Sequence, residues 1–208
     1  LDGKHTCKRI LQQETGLPVG NLPIYGMVCR LTEQKGVHLL IPALDKFLQH
    51  QVQVVIVGSG DPSLAAQLQS IAQQHPDKFA FINAYDDRLA HLVEAGADFF
   101  LMPSLFEPCG LNQMYSLAYG TLPLVRAVGG LKDTVVDWDA DPTHATGFCF
   151  NDPTASTLLD AMRRSLLHYL QEPARFARVQ HHAMNTRFDW ADSVILYEQM
   201  YQDALATV

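Results

Sequence analysis

Short apolar runs recur along this chain, each followed by a turn and then by a segment with helical period. Pro23–Val28 reads Pro-Ile-Tyr-Gly-Met-Val, and Gln53–Val57, Phe79–Asn83, Asp98–Met102, Leu122–Arg126 and Gly147–Phe150 follow in the same manner. Each is too short for a helix and too continuously apolar for a half-exposed strand, which is the pattern of strands covered on both faces. Strands alternating with helices at this pace require crossover connections. They predict an α/β fold with a doubly wound, Rossmann-like parallel sheet and helices on both faces. No internal repeat or low-complexity tract interrupts the pattern.

The intervening helices carry their own punctuation. Residues 4–15 form a short amphipathic segment with Ile10 and Leu11 inward, ended by Gly16. Val37–Gln49 contains Pro42, which predicts a kink or a later start. Asp61 followed by Pro62 reads as an N-cap and first helical residue for a helix reaching His75. A further helix runs through Glu94 to Gly96, Leu131–Val136 reads as a helical turn, and Asp137–Thr146 as a polar surface loop. From Thr154 the period is helical, with breaks at Pro173 and around Asp189. Residues 1–208 therefore read as one domain with a helical C-terminal extension.

Composition narrows the function. A formal net charge of −7 without a basic cluster argues against nucleic acid. No apolar run approaches the ~18 residues that span a bilayer. The start, LDGKHTCKRI, has neither a signal-peptide apolar region nor a Met, so a portion of a longer chain is expected. Cys7, Cys29, Cys109 and Cys149 show no C-x-x-C spacing, and the nine histidines show no metal spacing. No metal and no cofactor is called for. Cys7, Cys29 and Cys149 read as small core residues in a reducing cytoplasm.

Chemistry collects just past the strand ends, where open α/β sheets place ligands. The densest stretch is Pro103–Gly130, PSLFEPCGLNQMYSLAYGTLPLVRAVGG. Pro103 stops the fourth strand, and Glu107 is held out of helix by Pro108. A short helix beginning near Gly110 carries Leu111, Met114, Tyr115 and Ala118 at helical spacing, and its uncapped first turn offers N–H groups to an anion. Cys109 is either a small residue in a tight turn or a thiolate stabilised by that helix start. Past the first strand, Arg30 and Lys35 are either two solvated loop charges or a pair gripping phosphate. Gly58-x-Gly60 lacks the third glycine of a dinucleotide fingerprint, because Ser63 stands there, and reads best as a tight turn. Tyr85, just past the third strand, is either a rim aromatic or a base-stacking platform.

Glu107-Pro108-Cys109-Gly110-Leu111, then Gly120-Thr121-Leu122-Pro123 and Gly129-Gly130-Leu131, resembles the C-terminal half of the bacterial glycogen synthases over essentially the whole chain. That resemblance implies the C-terminal half of a two-Rossmann-domain (GT-B) fold and a retaining transfer of glucose from ADP-glucose to an α-1,4-glucan. It assigns Arg30 and Lys35, within the R-L-T-x-Q-K-G motif, to the donor phosphates, and Glu107 to the hydroxyls of the donor glucose rather than to a nucleophile's role. It sets Tyr85 against adenine and places Gly58, Cys109, Gly110, Leu111 and Asn112 around the donor. A related two-glutamate pattern is not kept, since Tyr115 occupies the second position and leaves ribose recognition open. The resemblance also implies that the helix at 189–205 packs back on an N-terminal half that supplies the glycogen acceptor site. Its Trp190, Val194, Leu196, Tyr197, Met200 and Tyr201 are more apolar surface than one lone helix face buries. Rival readings are a transferase using UDP-glucose and a non-catalytic nucleotide- or glucan-binding module; a nicotinamide dehydrogenase is disfavoured by the missing glycine.

Overall fold

The computed structural model describes residues 2–141 and 143–206. In chain order the elements are α1 (Asp2–Thr15), β1 (Ile24–Val28), α2 (Val37–Phe47), β2 (Gln53–Val57), α3 (Pro62–Gln74), β3 (Phe79–Ile82), α4 (Asp87–Gly96) and β4 (Phe99–Met102). They continue with α5 (Asn112–Ala118), β5 (Leu122–Arg126), α6 (Gly129–Thr134), β6 (Phe148–Phe150), α7 (Ala155–Gln171), α8 (Pro173–Asn185) and α9 (Trp190–Ala206). All six strands are parallel, in the order β3-β2-β1-β4-β5-β6. The α/β, doubly wound sheet expected from the apolar runs is therefore the observed one, and the strand order reverses between β1 and β4.

Alternation along the strands divides the core into two layers. Tyr25, Met27, Val54, Ile56, Phe99 and Leu101 face one side, packed with residues of α2, α3, α7 and α8. Ile24, Val55, Val57, Phe100 and Met102 face the other, with residues of α1, α4 and α6. On the first side Tyr25 stacks on Phe99 at 4.5 Å between ring centroids, and its hydroxyl meets Ser165 Oγ at 3.0 Å. The buried phenol is thus satisfied rather than reactive.

Helix ends follow the expected chemistry. Asp61 Oδ1 accepts from the N–H groups of Ser63 and Leu64 at 2.7 and 3.0 Å, with Pro62 opening α3. Pro42 neither breaks nor delays α2; it lies exposed within the helix, so its ring meets solvent rather than the sheet. The turn expected at Leu131–Val136 begins two residues earlier, at Gly129. Among the described residues no helix is long and apolar enough to cross a membrane.

At the amino edge of the sheet a single carboxylate joins three elements. Asp98 Oδ2 accepts from Lys8 Nζ at 2.7 Å and from the Ile24 N–H at 2.8 Å, tying α1 and β1 to the start of β4. Both side chains are nearly buried. Breaking such a pair from one side costs ~3–5 kcal/mol, because the remaining charge is left without a partner. Asp98→Ala should therefore lower the melting temperature by roughly 6–20 °C, by the usual ~2–4 °C per kcal/mol for a domain of this size. Calorimetric melts of Asp98→Ala beside Lys8→Met, Asp98→Leu, which removes both charges and should recover much of the loss, check this.

Candidate functional site

Two adjoining cavities open at the carboxyl edge, at the reversal of strand order. The β1–β4 ladder pairs Tyr25 with Phe99 and Gly26 with Phe100. The next residues of both strands, Met27, Val28, Leu101 and Met102, instead line a cavity of about 130 Å³ with Lys35, Ser104, Glu107, Gly110, Leu111 and Asn112. A larger cavity of about 430 Å³ lies alongside, reaching from Val28, Cys29 and Arg30 past Gly58 and Ser59 to Tyr85, and walled by α4 and α5. Val28, Cys29 and Asn112 border both.

In the smaller cavity Lys35 Nζ meets Glu107 Oε2 at 2.5 Å, and Ser104 Oγ donates to the same oxygen at 3.2 Å. Lys35 closes a short 3₁₀ turn, Glu33–Lys35, that follows β1, and 72 residues separate the two partners. What holds them together is backbone. Gly36 has φ 72°, and a Cβ there would stand 1.9 Å from the Pro103 carbonyl oxygen. Across the loop, a Cβ on Gly129 would stand 2.2 Å from the Glu107 carbonyl oxygen, and one on Gly130 would stand 2.0 Å from that of Cys109. The Gly130 N–H instead donates to the Glu107 carbonyl at 3.1 Å. Only glycine permits these approaches.

Side chains complete the clamp. Leu105 N–H donates to the Gln34 carbonyl at 2.8 Å, and Gln34 Nε2 returns a bond to the Phe106 carbonyl at 2.9 Å. Arg126, at the end of β5, donates from Nε to the Ser104 carbonyl at 2.8 Å and from Nη2 to the Leu105 carbonyl. Gln113 is fully buried, and its Nε2 lies 3.1 Å from the carbonyls of Cys109 and Gly110. Arg126 and Gln113 are the positioning residues that sequence reasoning passed over. Each was one polar residue at an element end, with no spacing to mark it.

The residues singled out from sequence fall as follows. Lys35, Glu107, Gly110 and Leu111 line the smaller cavity, while Arg30, Gly58, Tyr85 and Tyr115 line the larger. The two cations are thus divided between neighbouring cavities, Lys35 on the carboxylate and Arg30 exposed without an ion pair among the described residues. Tyr85 is 91% exposed, so its ring is a free platform rather than part of the core. Asn112 Nδ2 donates to the Val28 carbonyl at 3.1 Å and fastens α5 to β1. Cys109 lines neither cavity: the helix begins at Asn112 rather than Gly110, leaving Cys109 in the preceding turn with its thiol exposed. Glu94, on α4, faces the larger cavity, and burial pushes its carboxyl up to about 7.

The cysteines differ for a physical reason. Burial pushes the thiols of Cys29 and Cys149 up to about 12, so at neutral pH almost none of either is thiolate. Cys109 is exposed. Limited iodoacetamide treatment followed by mass mapping should find Cys109 modified first, with Cys29 and Cys149 lagging far behind.

Comparison with known proteins gives this geometry a setting. The family model described as glycosyl transferases group 1 matches residues 9–179. The chain is 85% identical over 206 residues to a glycogen synthase of Aeromonas hydrophila, and 61% identical over 203 residues to one of Vibrio parahaemolyticus. These matches take in 99% and 98% of this chain but 42% of each of those proteins. The catalytic domain of starch synthase IV from Arabidopsis thaliana, solved bound to ADP and acarbose, superposes with a TM-score of 0.88 at 34% identity. That superposition covers 98% of this chain and 43% of that one.

Proposed function

Since the chain belongs to the group 1 glycosyl transferases and matches the C-terminal portion of bacterial glycogen synthases, we propose that it holds the nucleotide-sugar donor of a glycogen synthase. The reaction is transfer of glucose from ADP-glucose to the non-reducing end of an α-1,4-glucan, with retention. The observation that carries this reading is the Lys35–Glu107 pair at the strand-order reversal, in a small polar cavity that opens onto a larger one. A glucosyl group in the smaller cavity would meet Glu107 as a hydrogen-bond acceptor for its hydroxyls. The diphosphate would lie across the border between the cavities, within reach of Lys35 on one side and Arg30 on the other. Tyr85 then offers its exposed ring to the adenine.

Catalysis in this arrangement is electrostatic. Negative charge grows on the leaving ADP as the glycosidic bond lengthens, and fixed cations aimed at that charge stabilise the transition state more than the ground state. Lys35 is held in place by Glu107 before the donor arrives, so little reorganisation is needed. The start of α5 has no side-chain cap, and Leu111 and Asn112 there line the smaller cavity, so its free backbone N–H groups are available to the same ligand. We give Glu107 no nucleophilic role: its Oε2 accepts from Lys35 and Ser104, and its task is to accept from the glucosyl hydroxyls. The setting proposed for this reaction is the cytoplasm.

Arg30→Ala and Lys35→Ala should each weaken ADP binding roughly 10- to 150-fold, the value of one charge-assisted phosphate contact of ~1.5–3 kcal/mol. Glu107→Gln should leave ADP affinity nearly intact and lower turnover of ADP-glucose in the two-domain enzyme. Titration calorimetry and glucan-synthesis assays separate the two effects. Equal losses of ADP and ADP-glucose affinity in Glu107→Gln would make Glu107 a loop support rather than a sugar ligand.

The chain spans 42% of the length of those relatives, and we assign the acceptor side of the cleft to the remainder. In α9 the side chains of Trp190, Ile195, Leu196, Tyr201 and Leu205 are 62–78% exposed. An apolar face of that size fits an interface with the other half. The 208 residues alone should therefore bind ADP without elongating glycogen, and adding the other half should restore synthesis. Radiolabelled glucose entering glycogen with these residues alone would refute the division of labour.

A further inference from the structure

We propose that Glu94 grips the ribose of the donor nucleotide, its carboxylate accepting hydrogen bonds from the 2′- and 3′-hydroxyls; this rests on the donor-binding reading above. Glu94 stands on the last turn of α4 and is only 4% exposed, yet it lines the larger cavity beside Ala90, Asn112 and Tyr115. Its carboxylate accepts no hydrogen bond from any described residue. The ionisable neighbour within 4 Å among the described residues is the imidazole of His91, with Nδ1 3.8 Å from Oε2. A nearly buried carboxylate that finds no donor among the described residues while its oxygens stay open to solvent takes its hydrogen bonds from whatever fills the cavity it lines. The raised proton affinity of Glu94 is the mark of that shortfall, since burial is its cause.

The chemistry of a nucleotide selects the ribose. Phosphates carry no hydrogen for a carboxylate and repel it, which keeps the diphosphate toward Arg30 and Lys35. The base has its own surface in the exposed ring of Tyr85, past β3. Covalent order places the ribose between these two, and its vicinal hydroxyls match the two oxygens of one carboxylate. Dinucleotide-binding sheets read ribose with an acidic side chain at the end of the second strand. Here Gly58 and Ser59 occupy that position and carry no charge. Tyr115 likewise brings a phenol to the cavity rather than a carboxylate. Of the three acids in that wall, Asp86 is engaged in capping α4 and Asp87 is largely exposed to solvent, so Glu94 is the one that remains.

The test is titration calorimetry of this chain with ADP, 2′-deoxy-ADP, 3′-deoxy-ADP and inosine diphosphate. The wild-type chain should bind each deoxy analogue about tenfold more weakly than ADP. Glu94→Met, which keeps length but has no acceptor, should bind ADP and both deoxy analogues alike, with the ADP-to-inosine ratio unchanged. Glu94→Gln keeps the shape and one acceptor and should lose only part of the discrimination; it carries the test if the Met variant melts early. Full retention of the deoxy penalty in both variants would overturn the proposal while leaving the donor reading in place. A change confined to inosine diphosphate would overturn it in favour of the base amine. Failure of the wild-type chain to bind ADP at all would instead remove the donor reading itself.

Discussion

Contact between bare glycine α-carbons and a carbonyl-rich loop is the constraint on which the site depends. The segment from Pro103 to Gly110 runs between Gly36 on one side and Gly129–Gly130 on the other, at distances that admit no Cβ. Side-chain contacts can adjust by rotamer, but backbone against backbone cannot. The position of Glu107 is therefore set by the sheet, through the turns after β1 and before α6. Its partner Lys35 belongs to the same turn as Gly36, so the ion pair and the backbone contact are fixed together.

How much of this was legible depended on the range of the interaction. Strands covered on both faces announce themselves through uninterrupted apolar runs, and the Asp61-Pro62 cap is local, so the sheet and the start of α3 could be read directly, whereas the uncapped starts of α5 and α6 were misplaced by two residues. The placement of Arg30, Lys35, Glu107 and Tyr85 past strand ends was also readable, because strand termini and parallel topology determine the edge. What could not be read was how those residues divide. Arg30 and Lys35 are five positions apart, and only the 3₁₀ turn between them sends one to each cavity. The brace from Arg126 to the carbonyls of Ser104 and Leu105 joins distant residues and leaves no local pattern. Glu94 escaped for a further reason: its helix is amphipathic, and periodicity sorts residues into core or solvent with no place for a cavity wall.

Charge in the site is economical. The chain is acidic overall, and the larger cavity includes Asp86, Asp87 and Glu94 beside a single arginine. Asp86 is engaged in capping α4, accepting from the Leu89 N–H at 2.8 Å. Lys35 shares its charge with Glu107. The proposed diphosphate would therefore enter a region whose positive charge is local, set by individually placed cations rather than by a broad basic surface.

The strand order carries a kinetic implication. β1, β2 and β3 follow one another in sequence and pair with one another, as do β4, β5 and β6, so each half-sheet can assemble from near neighbours. The joint between them, Tyr25 with Phe99 and Gly26 with Phe100, closes a loop of more than seventy residues and carries the larger entropic cost. Both cavities border that joint. The binding site thus comes into existence only when the two halves dock, and a nucleotide bound across it would act as a late clasp, favouring the closed seam by mass action.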